Sequence, residues 1–386
     1  MKTTAYINGN IISWALERAG KVAGDLARAM HVKPEVLADW VSGQEHPTFR
    51  QAQLLARKLY IPFGYLFLSD PPEERPSIPD LRTVRSERKD VLSLEFHDTL
   101  NDALVKQNWY KELLLKEGAP VLEFVGNFTM KDPVAVVAGD IRDTIGLDHG
   151  FRLESPGFET FLTRLIERVE AAGILVLRSG VVGNNNQRKL AVEEFRGFVL
   201  SDPVAPIVFI NSNDALAGQI FTLAHELAHI WLGVSGVTNP GLGSFSNTSV
   251  PEIESFCNKV AAEVLVPAAE FSTQWDEGAK LEENLNRISR YFRVSPLVAL
   301  ISAKTLQKIP NDVFLEEYAK RNVPRKKSDA ASGHFHNTLP VRNSKTFTRR
   351  VLNAAYEGDI LFRDAARLLK VKVKTLDALS AHLEIK

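Results

Sequence analysis

The segment Phe221–Gly233 constrains the fold most strongly, because it combines a helical apolar pattern with three ionisable side chains. It reads Phe-Thr-Leu-Ala-His-Glu-Leu-Ala-His-Ile-Trp-Leu-Gly, so His225 and His229 are four residues apart. Side chains at this spacing lie one above the other on the same face of a helix. Burying two imidazoles and a carboxylate among leucines is costly unless these groups have partners. The segment therefore predicts a buried helix that holds a metal ion; a pair of surface histidines is the alternative.

The residue types in this segment are those of a catalytic zinc site. Neutral imidazole nitrogen binds Zn²⁺ at about 2.0–2.1 Å, and a catalytic site needs three protein ligands and one open position. Glu226 is rotated by roughly 100° from His225 around the helix axis, so its carboxylate lies beside the ion without binding it. There it can take a proton from an attacking water as a general base. We therefore predict one Zn²⁺ per chain, bound by His225 and His229, with Glu226 as the catalytic base.

The third zinc ligand is expected on the helix that follows Pro251. This helix offers three carboxylates, Glu252, Glu254 and Glu263. Asn258 lies one turn after Glu254 on the same face, so a ligand and a polar residue that orients it can both point at the ion. Glu252 also suits the positive end of the helix dipole, and Glu263 suits solvent. We predict Glu254 as the ligand.

Composition excludes several classes of protein. The single cysteine, Cys257, rules out an intramolecular disulfide framework, is typical of a reducing compartment, and is interpreted as a packing residue rather than a redox sensor. No apolar run follows Lys2, and no stretch reaches the roughly 18 apolar residues of a membrane-spanning helix. The formal net charge is +0, so no global charge attracts nucleic acid or membrane. We predict a cytoplasmic protein with no membrane partner.

The two metal-site motifs together resemble the ImmA/IrrE family of zinc metallopeptidases. HELAH is followed about 25 residues later by Glu-Ser-Phe-Cys-Asn-Lys-Val-Ala-Ala-Glu-Val-Leu-Val-Pro, which ends at Pro267. This is similar to the family pattern E-x-x-A-N-x-F-A-x-x-L-L-M-P. Cys257, Val260 and Val266 stand where the family has Ala, Phe and Met. The resemblance covers roughly residues 150–310.

The resemblance implies both a fold and a substrate class. It implies a gluzincin-like core similar to thermolysin, with His225, His229 and Glu254 as zinc ligands and Glu226 as the base. Known substrates of the family are Xre-type repressors, and many members carry an Xre-like helix-turn-helix in front. The expected function is therefore cleavage of a repressor or antitoxin to control prophage, mobile-element or stress genes. The alternative is a DNA-binding transcriptional regulator, or an antitoxin-like protein, whose zinc site is structural or latent.

Two segments of the chain are similar to helix-turn-helix motifs. The first is Asp25–Trp40, with Lys33 and Gln44 as candidate DNA contacts. Residues 1–68 contain eight basic and five acidic residues. Glu35 and Asp39, on the presumed recognition helix, would face phosphate poorly, so DNA binding and protein docking are both interpretations of this segment.

The second such segment, Phe362–Leu379, lies in a basic region. Fifteen basic and six acidic residues fall between 320 and 386. Lys370, Lys372 and Lys374 at the presumed turn are candidate phosphate contacts. A solvated charged face on a small helical cap is the alternative.

The remaining pattern predicts an α+β protein that is mostly helical, with a small sheet. Short β-rich runs lie at 174–177, 195–200 and 206–211; the last two are expected to form a hairpin, and 206–211 an edge strand that aligns the substrate. Four prolines between Ser69 and Asp80 predict an extended linker. The predicted organisation is a helix-turn-helix domain at 1–69, a proline-rich linker at 70–90, a helical segment at 91–150, the zinc metallopeptidase core at 151–310 and a basic helical region at 311–386.

Overall fold

The computed structural model describes residues 3–72, 92–238, 252–321 and 335–383 of the chain. They divide into two compact units, one formed by residues 3–72 and 92–97 and the other by the described residues from Asp98 onward. Both are mostly helical, and the second contains a four-stranded mixed sheet, which agrees with the predicted α+β class. None of the helices in the described ranges is long and apolar enough to cross a membrane.

The first unit is a bundle of short helices, as the apolar spacing predicted. Residues in the left-handed conformation and side-chain caps end and begin these helices. His31, with φ of 56°, caps the C-terminus of α2, and Thr48 forms a capping box with Gln51 at the start of α4. The core includes Ile11, Leu26, Leu37, Trp40 and Leu55. The helices are α1 (Gly9–Arg18), α2 (Ala23–Met30), α3 (Pro34–Ser42) and α4 (Phe49–Leu59), followed by a short 3-10 helix, Phe63–Phe67.

One 3-10 helix, Val373–Thr375, and fourteen further α-helices follow in the described part of the chain. The α-helices are α5 (Leu94–Lys116, in the second unit from Asp98 onward), α6 (Val134–Ile145), α7 (His149–Leu153), α8 (Phe158–Ala171), α9 (Leu216–Trp231), α10 (Glu252–Leu265), α11 (Ala268–Gln274), α12 (Leu281–Phe292), α13 (Pro296–Thr305), α14 (Asn311–Arg321), α15 (Phe335–Arg342), α16 (Lys345–Tyr356), α17 (Phe362–Leu368) and α18 (Leu376–His382). α14 lies in the region 311–386, for which helices were predicted; its sequence is charged, and of its residues only Phe314 is buried. Pairs four residues apart, such as Lys320 with Glu316, stabilise such a helix.

The sheet contains β1 (Leu175–Ser179), β2 (Gly197–Leu200), β3 (Ile207–Asn211) and β4 (Gly236–Thr238) in the order β1-β3-β2-β4. β1 pairs with β3 in parallel, and the other two pairings are antiparallel. The predicted hairpin of β2 and β3 is confirmed.

The prediction that 206–211 forms an edge strand is wrong, because β3 lies between β1 and β2. The connection that follows β1 crosses over, so β1 lies on the side of β3 that is not paired with β2. β4 lies at the edge next to β2 instead. Its three residues, Gly236–Thr238, carry no apolar run that could have marked a strand in the sequence.

α9 runs along one face of the sheet and is buried on every side, from Gln219 to Trp231. The side chains on this face of the strands, among them Val176, Val199 and Val208, share one hydrophobic core with those of α9. α10 packs along α9, and α6 and α8 contact it as well. A helix that is apolar all round is expected at such a position. The polar residues of α9 are therefore enclosed by the core.

Candidate metal centre

The two histidines of α9 point into the same buried space. His225 and His229 are both 0% exposed, and their Nε2 atoms are 3.1 Å apart. Their rings are inclined at 62°, with centroids 4.9 Å apart. The spacing of one helical turn thus brings two imidazole nitrogens to one point, as the sequence predicted.

α10 brings one carboxylate to that point. Glu254 is 1% exposed; its Oε2 lies 3.3 Å from Nε2 of His225, and its Oε1 lies 3.0 Å from Nε2 of His229. Neither alternative ligand belongs to this group of three. Glu252 is exposed, and Glu263 accepts a hydrogen bond from the Ala268 amide at 3.1 Å. Among the residues that the structure describes, only Glu254 of the three carboxylates joins the histidines.

The spacing of the three side chains, with a different oxygen of Glu254 nearest to each histidine, fits a tetrahedral zinc ion. Bonds of about 2.0–2.1 Å in a tetrahedron place neighbouring ligand atoms about 3.3–3.4 Å apart. The three observed distances are 3.1, 3.3 and 3.0 Å. Two imidazole nitrogens and one carboxylate oxygen are also a donor set that Zn²⁺ accepts in proteins. The residues present therefore fit a resident zinc ion.

Burial and mutual attraction set the charges of these groups. Burial raises the pKa of Glu254, but His225 and His229 outweigh this and lower it to about 2. Burial is the largest influence on His225 and lowers its pKa. The charge and hydrogen bond of Glu254, the charge of Glu226 and a hydrogen bond with Asn258 together outweigh burial, so the pKa is raised. For His229 burial prevails, and its pKa is lowered. Glu254 is thus anionic and His229 neutral, which are the charge states that each would need to hold a metal ion.

Glu226, the predicted base, lies between α9 and β2 and is 0% exposed. Its carboxylate lies against Gly197 of β2. A Cβ added to Gly197 would lie 2.7 Å from Oε1 of Glu226. The same Cβ would lie 2.6 Å from Cγ2 of Thr222 and 2.9 Å from the carbonyl oxygen of Phe209. Only glycine leaves room for the carboxylate at this position.

Gly197 was not identified from the sequence as part of the site. The available signal was a glycine inside the β-rich run 195–200, since glycine in a strand interior often marks a close approach. Nothing in the sequence showed that the approaching group is Glu226.

A second feature missed from the sequence holds the end of α9 next to His229. The amide of Gly126 donates to the carbonyl of Ile230 at 3.0 Å, and the amide of Phe128 donates to that of Trp231 at 3.1 Å. The indole of Trp231 donates to Asp140 at 2.6 Å. The last carbonyls of a helix lack partners within it, so these amides replace water there. The segment before α6 therefore fixes the end of the metal-binding helix.

The predicted DNA contacts are all exposed, and the structure does not test whether they bind DNA. Exposed side chains are found at Lys33, Gln44, Lys370, Lys372 and Lys374. Lys370 also has partners, because its ammonium lies 3.1 Å from Asp102 and its carbonyl accepts a hydrogen bond from Asn184 at 2.6 Å. The charge of Lys370 is thus already partly neutralised.

Comparison with known families agrees with this geometry. Residues 169–304 match the model of the IrrE N-terminal-like domain, and this span contains His225, His229 and Glu254. The match supports a metallopeptidase of the ImmA/IrrE type, a family that is zinc-dependent. Residues 343–382 match the model of a domain of unknown function. No curated protein matches the chain.

Proposed function

We propose that this protein is a zinc-dependent endopeptidase with one zinc ion per chain. The observation that carries the proposal is the convergence of His225, His229 and Glu254 at zinc-ligand spacing. Glu226, the general base, precedes the second histidine on the same helix, and Gly197 makes room for its carboxylate. A structural zinc site closes all four positions with protein ligands, whereas three ligands leave one open.

The residues of the site divide the chemistry among them. His225, His229 and Glu254 hold the ion, which when bound acts as a Lewis acid toward a peptide carbonyl. Glu226 accepts the proton of the attacking water and passes it to the leaving amine. Burial of its carboxylate against Gly197 restricts its positions, so little freedom is lost in reaching the transition state.

We propose that the substrate peptide is aligned at β4 rather than at β3. Thr238 of β4 pairs with Gly197, so β4 runs one strand away from the position of Glu226. Adjacent strands are about 4.8 Å apart. In the described part of the sheet, β4 pairs with β2 alone. An extended peptide can therefore add to β4 as a further strand.

Two proline substitutions test this alignment. Alternate residues of an antiparallel strand direct their amides toward the partner and away from it. Of Val237→Pro and Thr238→Pro, one therefore removes an amide bonded to β2, and the other removes an amide facing outward. The outward variant should keep its zinc and its melting temperature but lose cleavage. Full cleavage by both variants would exclude alignment at β4.

The protein substrate is proposed to be an Xre-type repressor or an antitoxin, and its cleavage would control gene expression. The first unit is proposed to bind DNA through α2 and α3, joined by three residues as in a helix-turn-helix. Exposed Lys33 and Gln44 favour this role, and exposed Glu35 opposes it. Fluorescence anisotropy with duplex DNA tests it: Lys33→Glu should weaken binding and lower its salt dependence. Unchanged binding would favour protein docking.

Zinc content per chain is the primary test of the proposed activity. Elemental analysis should find about one zinc in the wild type and much less in His229→Ala and Glu254→Ala. Glu252→Ala is the matched control, because this exposed carboxylate lies on the same helix and should leave zinc unchanged. A folded wild type that contains no zinc after preparation with zinc in excess would overturn the proposal. Normal zinc with no cleavage of any co-expressed repressor would instead favour a regulator with a structural site.

A further inference from the structure

The region that matches a domain of unknown function is attached to the peptidase unit by an aromatic contact. Phe347, in the first turn of α16, is 0% exposed. Its ring packs edge-on against Trp109 at 5.5 Å and Tyr110 at 6.3 Å, both on α5. Burial of an aromatic ring of this size is a large favourable term in an interface. Burial of an aromatic side chain, and not only surface charge, therefore holds this region against α5.

The start of α16 is also bound by carboxylates of α8. Glu170, which is 8% exposed, accepts hydrogen bonds from the amide of Thr346 at 3.1 Å and from its hydroxyl at 2.9 Å. Lys345 pairs with Glu167 at 2.8 Å. The first amides of a helix lack partners within it and carry a partial positive charge. A carboxylate from the peptidase unit thus completes the end of a helix in the C-terminal region.

A second attachment lies at the turn after α17. Asp102 of α5 pairs with Lys370 at 3.1 Å. Asn184, in the crossover after β1, donates to the carbonyl of Lys370 at 2.6 Å and accepts from Arg342 at 3.2 Å. Lys370, the first residue of the turn that a DNA-binding helix-turn-helix would present to phosphate, is therefore bound by side chains of the peptidase unit.

Between these attachments, α15 lies against β1. Leu339 is 0% exposed, and Val341 and Lys345 line one small cavity together with Val176 and Arg178 of β1. β1 is at one end of the sheet and β4 is at the other. Proteins commonly block an exposed edge strand by covering it with a helix or loop.

We propose that the C-terminal region, residues 335–383, is a fixed cover for the β1 edge of the peptidase sheet. It leaves β4 as the edge at which a further strand can add. This last consequence rests on the proposed function, whereas the cover itself does not. The region acts as part of the peptidase fold and not as a separate DNA-reading arm.

Hydrogen exchange on the full-length protein tests the proposal without any activity assay. In the wild type, slowly exchanging amides of β1 and α16 should show similar protection, because the two elements open together. Phe347→Ala should speed exchange in both by about tenfold or more. Leu361→Ala, at a residue that is 62% exposed in the same region, is the matched control and should leave β1 unchanged.

Two results would overturn the proposal. One is a wild type in which α16 exchanges much faster than β1, which would mean that the region opens independently. The other is a Phe347→Ala variant that exposes α16 but leaves β1 protected. If Phe347→Ala does not fold, Thr346→Val removes only one hydrogen bond to Glu170 and serves the same comparison. These hydrogen-exchange rates can be interpreted in the same way whether or not the protein has the proposed peptidase activity.

Discussion

Gly197→Ala adds one methyl group where β2 meets the general base. The new Cβ would lie 2.7 Å from Oε1 of Glu226, 2.6 Å from Cγ2 of Thr222 and 2.9 Å from the Phe209 carbonyl oxygen. Real Cβ contacts of this kind do not fall below 3.0 Å, so something must move. The Phe209 carbonyl is backbone inside the sheet and α9 is enclosed on all sides, so the clash must be relieved mainly by displacing the side-chain end of Glu226 from its restricted position. A displacement of about 1 Å costs roughly 100-fold in rate, or about 2.7 kcal/mol of transition-state stabilisation.

The assay measures three quantities on Gly197→Ala and the wild type. We expect kcat/KM for the proposed cleavage of a repressor to fall about 100-fold and stability to fall by about 1–3 kcal/mol from overpacking. Zinc content should be unchanged, because the three atoms nearest to the added Cβ belong to Thr222, Glu226 and Phe209, and none of them is a proposed zinc ligand. Gly139→Ala is the matched control: it lies in α6, and an added Cβ there meets no atom within 4 Å. Normal activity in a folded Gly197→Ala variant would refute the argument that glycine positions the base.

Four further outcomes are expected. Glu226→Gln should retain zinc and lose cleavage by at least about 100-fold; cleavage near the wild-type rate would remove Glu226 as the base. Chelation should lower the melting temperature reversibly, since free zinc at 100 times its Kd adds about 2.7 kcal/mol; an unchanged melting temperature would contradict a resident ion. Glu270→Ala should cost about 3–5 kcal/mol in urea unfolding, because it leaves the 1%-exposed side chain of Arg152 without its ion pair; a loss below about 1 kcal/mol would show that Arg152 finds another partner. Burial raises the pKa of Asp202, but its hydrogen bond with Lys111 and two backbone amides lower it overall, so its contribution is present above the unfolded pKa and is lost as pH falls through the folded value. Asp202→Asn should therefore be less stable than the wild type at pH 7 and nearly equal to it at about pH 2; a constant difference would contradict this.

Much of the candidate site followed from residue spacing, because a helix turns local spacing into geometry. If the segment is helical, His225 and His229 must lie on one face of it. Prediction of Glu254 as the third ligand depends on more than local spacing, because α10 must pack against α9 in one particular register. The sequence left Glu252 and Glu263 as alternatives, and the packing of α10 on α9 brings Glu254 to the histidines.

The sheet shows where sequence patterns were insufficient. The β-rich runs at 174–177, 195–200 and 206–211 marked the strands within a few residues, and the hairpin followed from their closeness along the chain. Strand order did not follow, because it depends on where the crossover after β1 docks. β4 was missed because a three-residue strand with no apolar alternation gains its structure from pairing with β2.

The sequence by itself determined the local features of this protein: the helices, the candidate metal-binding pair on α9 and the proposed base beside it. These depend on residues within one or two helical turns, which chain geometry fixes. Only the tertiary structure decided which carboxylate completes the site, why position 197 must be glycine, and that α15 lies on β1. Each of these joins residues far apart in the chain, and such contacts depend on the docking of whole elements, which no local spacing encodes.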